Sequence, residues 1–234
     1  IISALYDSFL SYKSNDPLWI KRDRFILSKG HGCLAQYALL ADKSFITLND
    51  LDKFCHLDGI LGGHPEKSKI PGVEFSTGAL GHGLPVGVGM AVAAKINKQN
   101  HRVVVITGDG EINEGSIWEA ALSASQNKLD NLIWIIDYNK LQSYGYLEDV
   151  INLEPLNDKI SSFGFNVFEV DGHDIDMIKT TLNDLQFNHS KPNAIICHTV
   201  KGKGFPFAEH NPDWHHKSNL KPVDIASMYA CLEN

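Results

Sequence analysis

Two short apolar runs stand in the middle of the chain, Val103-Val104-Val105-Ile106 and Leu132-Ile133-Trp134-Ile135-Ile136. Both are rich in β-branched residues and do not alternate with polar ones. Each is followed by turn residues, the pattern of parallel strands buried on both faces. Between them, residues 116–124 carry a helical pattern, so the three segments predict one βαβ unit. Residues 165–170 and 194–199 predict a third and a fourth strand, and residues 174–185 a helix capped by Asp174. Earlier in the chain, Ile2, Leu5, Phe9 and Leu10 mark one face of a helix within residues 1–13. A second helix is predicted over residues 28–41, entered through Ser28-Lys29-Gly30-His31-Gly32. A short one is capped by Asn49 or Asp50 and carries Leu51, Phe54 and Leu57. Residues 84–96 are rich in Gly, Ala and Val and predict a closely packed helix, and 223–230 a short terminal one. Strands alternating with helices imply an α/β domain, a parallel sheet flanked by helices with right-handed crossovers, over residues 1–234. Residues 58–83 form a long glycine- and proline-rich stretch, and ordered loops of that length are more often functional than decorative. The polar tail over residues 202–219 is expected to lie over the site.

Composition narrows the picture modestly. A chain of 234 residues, 43% hydrophobic and 21% charged, is ordinary for a globular domain. The net charge of −7 disfavours a nucleic-acid partner. Cys33, Cys55, Cys197 and Cys231 are scattered without zinc spacing and read as reduced small hydrophobes of a cytoplasmic protein. No run reaches the roughly 18 apolar residues of a membrane helix, and no signal peptide is visible. The start, Ile1-Ile2-Ser3-Ala4, has no initiator Met and reads as mid-helix, so preceding residues are expected. The end reads as a natural one.

The chemistry concentrates where the central strands end. Val103–Ile106 runs into Gly108-Asp109-Gly110, and the second run leads to Asn139, 30 positions after Asp109. Ligands of open α/β sheets bind at the carboxyl ends of the strands. Mg²⁺ takes oxygen ligands, commonly one or two carboxylates with substrate phosphates. One Asp and one neutral Asn carbonyl therefore suit a magnesium diphosphate that brings the remaining negative charge. Glycines on either side of Asp109 allow close backbone approach, and a helix beginning near Glu114 offers amide donors.

This arrangement resembles the diphosphate motif of thiamine-diphosphate enzymes, and further segments in order resemble the transketolase family. They are Arg22-Asp23-Arg24-Phe25-Ile26-Leu27-Ser28-Lys29-Gly30-His31-Gly32, then Gly63-His64-Pro65-Glu66, then Ser76-Thr77-Gly78-Ala79-Leu80-Gly81-His82-Gly83. Gly108-Asp109-Gly110-Glu111-Ile112-Asn113-Glu114-Gly115 follows, then Asp171-Gly172-His173-Asp174, Lys201-Gly202-Lys203-Gly204 and Trp214-His215-His216. The resemblance implies the family's diphosphate-binding (PP-type) fold, with thiamine diphosphate and Mg²⁺ as cofactors and Ca²⁺ or Mn²⁺ as substitutes. It implies Asp109 and Asn139 side chains and the Leu141 backbone carbonyl as metal ligands, and a Gly110 amide on the diphosphate. Gly78, Ala79 and Leu80 match the backbone stretch that touches the aminopyrimidine, with Ala79 where proline is usual.

His31, His64 and His215 match histidines that surround the thiazolium and donor sugar. Imidazole can both hydrogen-bond hydroxyls and move protons near neutral pH. His216 stands where glycine is usual, and His82 where glutamine often is; His82 reads equally as a surface histidine. His56, His101, His173, His189, His198 and His210 read as structural or solvated. Glu114 matches the glutamate that couples two active sites across a dimer interface.

The glutamate that contacts the aminopyrimidine belongs, in the family, to a pyrimidine-binding domain with no counterpart in this sequence. The expectation is therefore an amino-terminal subunit of a two-chain transketolase, in a heterotetramer with a second copy of itself and a carboxy-terminal transketolase subunit. It would transfer a two-carbon ketol unit from a ketose, phosphorylated by expectation, to an aldose. Two other readings remain open. One is a subunit of another thiamine-diphosphate enzyme that acts on 2-oxo acids, disfavoured by Ser-Lys-Gly-His-Gly and Gly-His-Pro-Glu. The other is a non-catalytic pairing subunit.

Overall fold

The computed structural model describes all residues except 144, 188, 189, 216, 218, 233 and 234. Along the chain come α1 (Ile2–Ala4), which continues as a π-helical turn over Leu5–Phe9, β1 (Arg24–Leu27), α2 (Cys33–Asp42), α3 (Leu48–Asp52) and α4 (Gly83–Ile96). Then follow β2 (Val103–Gly108), α5 (Gly115–Gln126), β3 (Leu132–Tyr138), β4 (Leu141–Gln142), β5 (Gly145–Tyr146), α6 (Leu147–Val150) and α7 (Leu156–Ser162). The last elements are β6 (Asn166–Asp171), α8 (Ile175–Asp184), β7 (Asn193–His198) and α9 (Pro222–Leu232).

Five strands form one parallel sheet in the order β1-β2-β3-β7-β6. Alternate residues of each central strand serve two cores. Val104, Ile106, Ile133 and Ile135 face α2, α8 and the amino-terminal turns. Val103, Val105, Trp134 and Ile136 face α4, α5 and α7. Both faces are therefore covered, which is why the strands read as unbroken apolar runs. Trp134, fully buried, satisfies its indole N–H by donating to Thr107 Oγ1 at 2.8 Å. Small residues let α4 sit close to the sheet; a Cβ at Gly87 would come 2.5 Å from Val105 Cγ2. No helix among the described residues is long and apolar enough to cross a membrane.

The sequence expectations are corrected in four places. β1 is a fifth strand hidden within the Arg22–Gly32 motif; it pairs with β2 in register, Arg24 opposite Val103. The helix expected from residue 28 begins only at Cys33, after a 3-10 turn over Gly30–Gly32. Ser28 is kept out of it because its N–H donates to Ile106 O at 2.8 Å, prolonging the strand ladder. α3 is capped by Thr47, in a capping box with Asp50, rather than by Asn49 or Asp50. It ends before Phe54, and Leu57 is fully exposed. The first helical segment stops at Phe9, with Leu10 extended.

Candidate active site

The motif segments that follow strands leave the sheet at one edge, at the carboxyl ends, while Gly63–Glu66 and Ser76–His82 lie in the long connection between α3 and α4. β1 delivers Ser28 to Gly32, β2 delivers Asp109 and Gly110, β3 delivers Asn139, and β7 delivers Thr199 to Gly204. The register of β2 and β3 closes with Gly108 opposite Asp137, so Asp109 and Asn139 emerge side by side. They share the wall of a cleft of about 430 Å³ with Lys29, His31, Leu80, Gly110, Glu114, Leu141, Gln142, Lys201 and His215.

Asp109 is 2% exposed. Its two carboxylate oxygens accept from Gly110 N at 2.7 Å and Lys140 N at 2.5 Å. Burial nevertheless pushes its pKa up, outweighing those two donors. The Lys29 charge on the same wall lowers it only as a lesser influence, and no ion pair to Asp109 occurs among the described residues. Asn139, 5% exposed, accepts from Leu141 N through Oδ1 at 3.1 Å. That bond folds residues 139–141 back and starts the β4–β5 pair. One carboxylate, one amide oxygen and a backbone carbonyl are hard oxygen donors suited to Mg²⁺ or Ca²⁺. Among the described residues no cluster of three His, Cys, Asp or Glu side chains forms a cage. A metal held here would draw its other ligands from the bound anion.

The loops around this pair are tied by Glu111, which sequence reasoning passed over. It is 2% exposed and accepts from Ser28 Oγ, from Gly81 N at 3.0 Å and from Gly108 N at 3.2 Å. Ser28 Oγ in turn accepts from Gly83 N at 3.1 Å. One carboxylate thus joins the Ser-Lys-Gly-His-Gly, Gly-Ala-Leu-Gly-His-Gly and Gly-Asp-Gly segments. Burial pushes its pKa up despite these donors.

Two lysines were also missed, although both lie inside quoted motifs. Lys29 donates to Asp137 Oδ2 at 2.6 Å. Burial opposes both charges of this pair, but each holds the other ionised: Lys29 is raised and Asp137 lowered from the ordinary values. Thr199 Oγ1 donates to the other Asp137 oxygen. Among the described residues, Lys201 has no such carboxylate in hydrogen-bond contact. Burial, then the neighbouring Lys29 ammonium, bring its pKa down to about 8.

The histidines divide. His31 and His215 lie on the cleft wall with ring centroids 6.5 Å apart and planes 30° from parallel. His31 keeps one side open to solvent, yet burial of the rest, together with Lys29 and Lys201, lowers its pKa to about 4. It is neutral at neutral pH. His215 Nε2 lies 3.5 Å from Ser143 Oγ.

His64 is exposed beside the cleft, its ring on Gly78: a Cβ at Gly78 would come 2.9 Å from His64 Cδ2, and φ there is +141°. Gly78 and Ala79 are likewise off the cleft wall, whereas Leu80, 37% exposed, is on it. His82 is exposed, with Nδ1 2.9 Å from Leu80 O. His173 accepts from Val200 N at 2.7 Å and so braces two loops, in keeping with a structural role. Glu114 caps α5 with its backbone only, and its side chain is exposed at the cleft rim. His189 and His216 lie outside the described residues.

The family model described as "Transketolase, thiamine diphosphate binding domain" matches residues 1–232. A protein of Actinobacillus succinogenes named as one of the subunits of an apulose-4-phosphate transketolase is 48% identical over 217 residues, covering 93% of this chain and 78% of that protein. A 6-deoxy-6-sulfo-D-fructose transketolase subunit of a Clostridium species is 40% identical, covering 89% and 76%. Among solved structures, transketolase from Campylobacter jejuni superposes with a TM-score of 0.85 at 33% identity over 91% of this chain. A Pichia stipitis transketolase gives 0.87 at 31% over 98%. This chain spans 34% and 35% of those two chains.

Proposed function

Because this chain belongs to the transketolase family and carries its thiamine diphosphate-binding domain, we propose that it is the amino-terminal subunit of a two-chain, magnesium-dependent transketolase. It would act in the cytoplasm with a carboxy-terminal subunit that brings the pyrimidine-binding domain, and with a second copy of itself. The observation that carries this reading is the buried Asp109 beside Asn139 at one sheet edge, its pKa raised by burial. The names of two relatives as transketolase subunits support the two-chain form. Those names refer to a phosphorylated and a sulfonated ketose. A ketose carrying an anionic group is therefore the proposed donor, and an aldose the acceptor.

Asp109, Asn139 and the Leu141 carbonyl would hold Mg²⁺. The Gly110 amide and the Lys29 and Lys201 ammonium groups would face the diphosphate. Thiamine diphosphate, when bound, supplies the electron sink for breaking the C2–C3 bond of the ketose. The protein's part is to orient the sugar, exclude water and place protons. Neutral His31 can both donate to and accept from a sugar hydroxyl, and His64 and His215 would complete that ring of imidazoles. Gly78, Ala79 and Leu80 would offer backbone to the aminopyrimidine, and Glu114 would connect paired sites across the interface.

The test is calorimetric titration of thiamine diphosphate into the chain with Mg²⁺, alone and then with a candidate carboxy-terminal half, following ketol transfer in parallel. Metal-dependent binding that tightens in the mixture, with activity only there, is expected. Asp109→Asn should lower affinity by more than the roughly 10–100-fold that losing an outer-shell group costs a metal site. Full activity of the chain alone, or unchanged binding by Asp109→Asn, would refute the proposal. Pyruvate consumption without aldose transfer would favour a 2-oxo acid enzyme instead.

A further inference from the structure

Gln142 follows Leu141 in β4 and lines the same cleft as Asp109, Gly110 and Asn139. Its side chain lies across Gly110: a Cβ added there would come 2.9 Å from Gln142 Cβ and 3.1 Å from Gln142 Oε1. Position 110 must therefore be glycine for the carboxamide to occupy this place. Gln142 Nε2 is buried and has no acceptor among the described residues. Buried donors without partners are costly and rare, so each calls for an explanation. Asp109, Glu111, Glu114 and Asn139 line the same cleft, yet no described acceptor meets Nε2, and the Lys29 and Lys201 ammonium groups on that wall favour an anion in the space between. An oxygen of such an anion would be a partner for this donor.

We propose that Gln142 is a further binding residue of this site, its Nε2 donating to a diphosphate oxygen of the cofactor. This rests on the reading of the cleft as a diphosphate site. The closeness of Gly110 fixes the side chain, so little rotamer freedom is lost when the bond forms. A neutral amide also adds a donor where a third lysine would repel Lys29 and Lys201.

Two substitutions separate donation from packing. Gln142→Met keeps length and apolar stem but has no N–H. Gln142→Glu keeps the shape and turns the donor into an anion. The full chain is titrated calorimetrically with Mg²⁺ plus inorganic diphosphate, and separately with Mg²⁺ plus thiamine diphosphate. Gln142→Met should weaken both by on the order of tenfold, the worth of one hydrogen bond to a charged group, and Gln142→Glu by more. Should either variant fail to fold, the side-chain ¹⁵N–¹H₂ resonance of Gln142 in the unaltered chain answers instead, since it must shift as Mg²⁺ and inorganic diphosphate saturate the site. Binding by Gln142→Met within about twofold of the unaltered chain, weaker binding by Gln142→Met than by Gln142→Glu, or an unmoved resonance overturns this inference and leaves the diphosphate site standing. If the unaltered chain binds neither diphosphate, the underlying reading falls and this inference with it.

Discussion

Lys201 and Lys29 are chemically alike and sit on the same cleft, yet their surroundings give them different tasks. Lys29 is neutralised by Asp137 at 2.6 Å and is held charged at any ordinary pH. It therefore acts mainly as a strut between β1 and β3. Lys201 faces the cleft with no contacting carboxylate among the described residues, and burial with the Lys29 charge brings its pKa to about 8. Among the described lysines of this cleft, it is the one without an ion-pair partner and so the more available to an incoming anion. The ammonium is present below pH 8 and is lost as pH rises through about 8, so diphosphate affinity should be greatest below that value. Above it, affinity should fall by at most about tenfold per pH unit, the slope for one linked proton. Lys201→Met should bind more weakly at about pH 7 and show a flatter profile between about pH 7 and 9. Titrations with inorganic diphosphate and Mg²⁺ at several pH values test this, and an equally steep profile in Lys201→Met would assign the proton elsewhere. His31 does not interfere, since its pKa of about 4 keeps it neutral throughout.

At the scale of elements, strands set the edge and a single side chain gathers the loops. Glu111 belongs to the short turn between β2 and α5, and its partners Ser28, Gly81 and Gly108 come from three segments. Replacing it by alanine strands those donors in the interior, at about 1–3 kcal/mol for each unmet group. Glu111→Ala should therefore lose at least ~3 kcal/mol of stability, and Glu111→Gln, which keeps one acceptor, clearly less. Urea unfolding of the ligand-free chain measures both; a loss under about 1 kcal/mol in Glu111→Ala would mean that the loops hold without it. No sequence pattern announces this role, because Ser28 and Glu111 are 83 positions apart and only the fold joins them. The strands were legible for the opposite reason. β2, β3 and β7 are buried on both faces, so each writes an apolar run into the sequence. β1 is an edge strand of four residues between Arg22-Asp23 and a glycine-rich turn, and its pairing with β2 is a long-range fact. That Asp109 and Asn139 come together was legible because each follows a strong strand. Lys29 and Lys201 were not, since charge in a glycine-rich motif reads as an ordinary solvated loop until Asp137 and the cleft are seen around it.

At the scale of the molecule, apolar side chains stand exposed at the cleft rim and on the helix beside it. Leu80 stands 37% exposed at its rim, and Leu122, on the same helix that Glu114 caps, is 58% exposed. A site that must keep water from a reacting sugar needs a second wall, and the proposed assembly would supply it. Glu114 offers a way to test that assembly separately from folding. Its side chain is exposed, makes no capping bond to α5 and touches the Gly81 backbone only with its stem, so its loss from the isolated chain removes no capping bond. Surface changes of that kind usually stay within about 0.5 kcal/mol. Glu114→Ala should accordingly leave the melting of the isolated chain unchanged. In the assembled enzyme, with a second copy and the carboxy-terminal partner present, it should uncouple the paired sites. Cofactor titration of the unaltered assembly would then show interdependent sites, and that of Glu114→Ala independent ones. A coupling of about 1–3 kcal/mol, typical between linked sites, corresponds to roughly 5–150-fold between first and second binding and is well within reach of calorimetry. A Glu114→Ala chain that melts several degrees lower on its own would make this residue a structural cap. Identical titration curves before and after substitution, in an assembly that does show interdependence, would place the coupling in other residues of the interface.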